Sequence, residues 1–187
     1  MELRGAEGDM VILEKEIGGG MKHMQKDILF KQEDWVFSYR VAGVLERSGR
    51  LLLQKPVDDD GYAFIGGHVA AFETSRETLR REFLEEIHAH IEVQELMAVG
   101  EIFFPWGNRA CHQIGLYYRI RLEDEGEIPL EGVFHGFDDL GGERINLDFC
   151  WVPMEQLRSV AAYPQELTAH LLEGRKDFLH FVSRQMT

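Results

Sequence analysis

The sequence predicts an α/β or α+β sandwich, in which strands enclose one central helix and further helices follow. Three observations carry this. Segments rich in β-branched and aromatic residues recur between Val36 and Val152. The pair Gly66-Gly67 leads into a helical pattern with apolar residues at Leu79, Phe83 and Ile87. Pro153 and Pro164 stand at the start of later helical segments, a position that suits proline. The chain of 187 residues is long enough for one core of its own, and 44% apolar with 28% charged residues argues against disorder.

Residues 1–34 read as an N-terminal extension and 35–187 as one domain. In the extension a short strand is expected at Val11–Ile17, ahead of Gly18-Gly19-Gly20. An alternative reading starts the native chain at Met21, because Lys15-Glu16 can be encoded as AAGGAG, a purine-rich ribosome-binding sequence. Val36–Leu45 and Arg50–Gln54 read as paired strands across the turn signal Ser48-Gly49. Pro56–Gly61, with its aspartates, reads as a solvated loop, and Tyr62–Ile65 as a short strand. A helix is expected from Ser75 to about Ala89. Strands follow at Glu92–Phe104 and Ala110–Leu122, joined by a turn around Pro105-Trp106-Gly107-Asn108. The polar, glycine-rich stretch 123–146 predicts a long loop, Leu147–Val152 a strand, and Pro164–Leu172 and Lys176–Gln185 closing helices.

Charge and cysteine content narrow the function. A net charge of −13 repels a phosphate backbone at long range and argues against a nucleic acid duplex as partner, while leaving room for a small anionic substrate beside a bound cation. No apolar run approaches membrane-spanning length. The two cysteines, Cys111 and Cys150, form no CxxC pair, which fits a reducing cytoplasm.

On the central helix, residue spacings of three and four bring Glu82, Glu85 and Glu86 within an arc of about 100°. This arc abuts the apolar stripe, with Glu86 about 20° from Leu79. Carboxylates this close repel one another, and a hard divalent cation such as Mg²⁺ or Mn²⁺ relieves the repulsion. A solvated acidic face with Arg76, Arg80 and Arg81 as neighbours is the alternative reading of the helix alone. The preceding glycines favour the metal reading, since a glycine backbone approaches a ligand closely and its carbonyls are further oxygen donors.

Gly67, Glu73, Arg81, Glu82, Glu85 and Glu86, all in register, resemble the Nudix box, Gly-x5-Glu-x7-Arg-Glu-U-x-Glu-Glu-x-Gly-U, where U is a bulky aliphatic residue. Similarity extends over roughly residues 36 to 160 and includes Leu51-Leu52-Leu53-Gln54 and Trp151-Val152-Pro153. The resemblance implies an αβα sandwich around a mixed β-sheet and a metal-dependent hydrolase of the MutT-like kind. Its reaction would be attack by water on a nucleoside diphosphate linked to another moiety. It implies that Glu82, Glu85 and Glu86 bind the metal with the Gly66 carbonyl, and that Arg81 pairs with Glu73 to fix the loop on the helix. Homodimers are frequent in that family. Three positions depart from the box and its surroundings. His88 replaces the final glycine, which normally takes a left-handed conformation that costs His roughly 1 kcal/mol unless the helix extends. Ala89 replaces the bulky aliphatic residue, and Ile65 the usual proline. None removes a carboxylate.

The chemistry needs a carboxylate to take a proton from water. Glu82 is the first candidate, as base or as orienting ligand. Glu143 is the second, with Asp148 behind it, although both also read as ordinary solvated acids. Among Phe103, Phe104, Trp106, Tyr117 and Tyr118, most suit core packing, and Trp106, in a turn, is the candidate substrate contact, with Gly67 beside the box. Pro105, sixteen positions after Ala89, resembles a marker of ADP-ribose pyrophosphatases, but Phe104 and Trp106 flank it where small residues are usual. His88, His90, His112 and His135 show no metal-ligand spacing. The competing class is a Nudix-fold nucleotide sensor without catalysis. Sensors usually lose box carboxylates, and this chain keeps them all.

Overall fold

Apolar alternation along the strands builds a mixed sheet with a helix packed on each face. The structure, a computed structural model, describes residues 26–140 and 143–186. The expected strand at Val11–Ile17 and the alternative start at Met21 lie outside the described residues. The strands are β1 (Leu29–Lys31), β2 (Trp35–Arg47), β3 (Arg50–Pro56), β4 (Tyr62–Phe64), β5 (Ile91–Trp106), β6 (Arg109–Leu122), β7 (Val133–Leu140), β8 (Glu143–Pro153), β9 (Ala162–Tyr163) and β10 (Leu179–Arg184). The helices are α1 (Ser75–Ile87) and α2 (Gln165–Leu172), with a 3₁₀ turn at Met154–Gln156. Strands run in the order β10-β5-β6-β2-β3-β4-β9, with β1 beside β2 and the hairpin β7-β8 beside β3. The β2-β6, β10-β5 and β4-β9 pairs are parallel and the remaining pairs antiparallel. β1 lies within the stretch read as an extension, and the Ile28 amide donates to Val69 O at 2.8 Å.

Helix α1 begins with a capping box. The Glu77 carboxylate accepts from the Thr74 amide at 2.8 Å and the Thr74 hydroxyl accepts from the Glu77 amide at 3.3 Å, which satisfies two otherwise orphaned donors. Leu79 and Phe83 are fully buried against Val41, Leu52, Phe149 and Trp151, worth about 1.5–3 kcal/mol each. On the opposite face α2 buries Leu167 and Leu171 against Ala42, Val44, Leu53 and Tyr117. This is the expected αβα sandwich. Among the described residues no helix is long and apolar enough to cross a membrane.

Two expected elements are corrected. The stretch 123–146 is not one long loop, because β7 and the start of β8 pair within it from Phe137↔Asn146 to Leu140↔Glu143. Gly136 and the aspartates lower its strand propensity, and pairing overrides that weak local preference. A Cβ on Gly136 would meet the Glu86 carbonyl oxygen at 2.6 Å, so glycine there lets the strand lie against α1. Lys176–Gln185 is not a helix, since Leu179–Arg184 is a strand parallel to β5. Its burial alternates, with Phe181 and Ser183 buried and Val182 exposed, which is the period of a strand.

Candidate active site

The site is assembled where the loop after β4 crosses the face of α1. β2 pins this loop, with the Val41 amide donating to Gly67 O at 3.0 Å and the Gly43 amide to Ile65 O at 2.9 Å. A Cβ on Gly66 would lie 2.2 Å from Val41 O, and one on Gly67 would lie 2.2 Å from the Glu82 carboxyl carbon. Any side chain on Gly67 would therefore displace the Glu82 carboxylate. Ile65, where the Nudix pattern has proline, is fully buried in the core.

Arg81 links the acidic residues. Its Nε and Nη2 donate to Glu73 at 3.2 and 3.1 Å, and its Nη1 donates to Glu82 at 2.8 Å and Glu85 at 3.1 Å. The Thr78 hydroxyl donates to Glu73 at 2.8 Å. Partial burial opposes the Arg81 charge, but the Glu73 hydrogen bond and the attraction of Glu82 outweigh it and hold its pKa above the ordinary arginine value. The expected Arg81–Glu73 pair is thus one arm of a wider clamp. Glu82 and Glu86 are buried at 8% and 6% exposure beside the apolar stripe, whereas Glu85 is exposed. Among the described residues no three acidic, His or Cys side chains are gathered into a ready-made metal cage.

The helix end follows the first alternative drawn from the sequence. His88 takes the left-handed conformation itself, at φ 55°, and its Nδ1 lies 3.1 Å from Leu84 O. Ala89 is fully buried in the core.

The remaining candidates fall in different places. Glu143 opens β8 opposite Leu140, and its side chain lies outside the described residues. Asp148 is held by His135 Nδ1 at 2.8 Å, and His135 lines a cavity of about 420 Å³ with Glu85, Glu86 and Asn146. Trp106 ends β5 and stacks on His68, with centroids 6.1 Å apart and planes 11° apart, while Lys31 Nζ lies 5.9 Å from the ring centroid. Burial of His68, with Arg40 and Lys31 nearby, lowers its pKa to about 4, so the imidazole is neutral.

Sequence reasoning did not foresee a second cavity beside the glycine loop. A cavity of about 400 Å³ opens between the sheet strands and the loop before α2, lined by Arg40, Gln54, Phe104, Gln113, Tyr117 and Tyr163 among others. Phe104 lines it and Trp106 does not. The Arg40 Nη2 donates a short hydrogen bond to Gly66 O, which ties this cavity to the glycine loop. The available signal was Arg40, the single charged residue in the stretch Val36–Leu45.

A family model for the NUDIX domain matches residues 37–171, and the chain belongs to this family. The structure resembles a NUDIX hydrolase from Nitrosomonas europaea at 21% identity and a TM-score of 0.52, covering 79% of each chain. It also resembles a MutT protein from Bacillus halodurans at 15% identity and a TM-score of 0.52, covering 79% of this chain and 91% of that one. An ADP-ribose pyrophosphatase from Streptococcus suis shares 14% identity and a TM-score of 0.50, covering 78% and 98% of the two chains. At these identities the likeness is one of fold. Comparison with curated proteins found no match.

Proposed function

We propose that the chain is a hydrolase that breaks a diphosphate bond in a nucleoside diphosphate linked to another moiety, with Mg²⁺ or Mn²⁺ as cofactor. The observation that carries this reading is the close approach of Gly67 to the Glu82 carboxylate, with Glu86 buried on the same helix face and Arg81 bridging Glu73, Glu82 and Glu85. The donor set fits a hard divalent cation. The carboxylates of Glu82, Glu85 and Glu86 and the Gly66 carbonyl are all oxygens, which such ions prefer. When bound, the cation neutralises phosphoryl oxygens and lowers the pKa of the attacking water.

The chain's own residues do the rest. Glu82, held between Gly67 and Arg81, is placed to orient water or accept its proton, with Glu143 as the second candidate. Arg81 and Glu73 hold the loop on the helix. The acidic chain favours a small nucleotide over a nucleic acid duplex.

The test is a panel of ADP-ribose, nucleoside triphosphates, dinucleoside polyphosphates and nucleotide sugars, each with and without Mg²⁺ or Mn²⁺. We expect cation-dependent cleavage of at least one member and a loss of at least about a hundredfold in Glu86→Gln with the fold intact. Nucleotide binding without cleavage across the panel would overturn the reading and point to a sensor.

A further inference from the structure

The 400 Å³ cavity is of a size that takes a nucleoside. The chain carries 33 Asp and Glu residues, yet among the described residues no carboxylate lines this cavity. Its polar lining consists of Arg40, glutamines and tyrosines, and the rest is apolar, with Ala42, Ala63, Phe64 and Leu147. Gln54, on β3, is only 6% exposed. Its Oε1 is enclosed without a partner, and its Nε2 is the end that opens on the cavity. Among the described residues no acceptor takes either N–H of that NH₂. An amide shut in on its oxygen side and open on its nitrogen side can only donate to whatever enters. Gln113 is turned the same way. Its Oε1 accepts from the hydroxyl of the buried Ser38 at 3.4 Å, which leaves its NH₂ for the cavity. The cavity thus presents amide donors and no carboxylate acceptor.

We infer that Gln54 is a specificity-determining residue that donates a hydrogen bond from Nε2 to a carbonyl oxygen on the substrate's base. This rests on the hydrolase reading for its substrate class and adds a preference within it: bases carrying a carbonyl over those carrying an exocyclic amine at the same position. An amine there would set donor against donor and leave the buried amide unmatched at both ends. A site built to hydrogen-bond one group rejects the analogue lacking it for that reason.

The test is equilibrium binding of UMP against CMP and of IMP against AMP, with Mg²⁺ present. These monophosphates contain no anhydride to cleave. In at least one pair the carbonyl member should bind about tenfold more tightly. Gln54→Met should bring that ratio to within about twofold by weakening the carbonyl member, while the amino member keeps its affinity to within about twofold. Equal binding within both pairs, a preference for the amino member, binding of none of the four, or a ratio unchanged in Gln54→Met would overturn the assignment. An equal loss of both members in Gln54→Met would mean that Gln54 only shapes the cavity, and would overturn it as well. Cleavage in the hydrolase panel without base discrimination sinks only this inference, and discrimination without cleavage sinks only the hydrolase reading.

Discussion

Phe72 is 99% exposed and sits at φ 68°, one position before Glu73 of the clamp. The left-handed region is a genuine outlier for a bulky side chain, and an exposed ring gains little burial energy to offset it. Replacing it with glycine removes the steric cost of roughly 1–2 kcal/mol and adds back part of it as unfolded-chain entropy. Phe72→Gly should therefore stabilise the protein by about 0.5 kcal/mol, read as a rise in the urea midpoint at constant m-value. A lower midpoint would mean that the ring makes contacts worth more than the strain. His88 shares the left-handed conformation, and glycine there would give up the contact of its Nδ1 with Leu84 O at 3.1 Å. Both outcomes open to His88 could be read from its place in the box. Phe72 could not, because nothing local in the sequence fixes the sign of φ at a loop residue.

On the scale of the element, α1 shows how far helical period alone reaches. Spacing put Glu82, Glu85 and Glu86 on one arc beside Leu79 and Phe83, and the structure buries Glu82 and Glu86 beside that stripe. Spacing could not show that the Arg81 guanidinium touches three carboxylates at once, since Glu73 reaches it from the preceding loop. This arrangement uses the geometry of arginine. Nε and both Nη atoms point in fixed directions, whereas lysine offers a single charged centre. Arg81→Lys keeps the charge but cannot meet Glu73 side-on while also reaching Glu82 and Glu85. Because the clamp is only partly exposed, the substitution should cost about 1–2 kcal/mol in urea unfolding, more than the fraction of a kilocalorie typical of an exposed pair. A cost within about 0.3 kcal/mol of zero would show the clamp to be an ordinary surface network.

For the whole molecule, the sequence was most readable where local pattern and tertiary role agree, as in β2, β3, β5, β6 and α1. It failed where a strand is made by its partner. Around β7, Gly136 and the aspartates mask a hairpin that closes only by pairing with β8. Around β10, Phe178, Phe181 and Val182 recur at helical spacing, so local period favours a helix, while the exposed edge of β5 demands a strand. The two readings bury different residues. A helical stripe would bury Phe181 and Val182 together. The strand buries Phe181 at 6% exposure against the α2 face of the sheet and leaves Val182 48% exposed. Phe181→Ala should then cost about 3 kcal/mol through the cavity it leaves, and Val182→Ala under about 1 kcal/mol. Comparable losses at both positions, measured by urea unfolding, would restore the helix. The expected inequality would show that the C-terminal segment completes the sheet whose β5 and β6 carry Phe104 and Tyr117 into the 400 Å³ cavity.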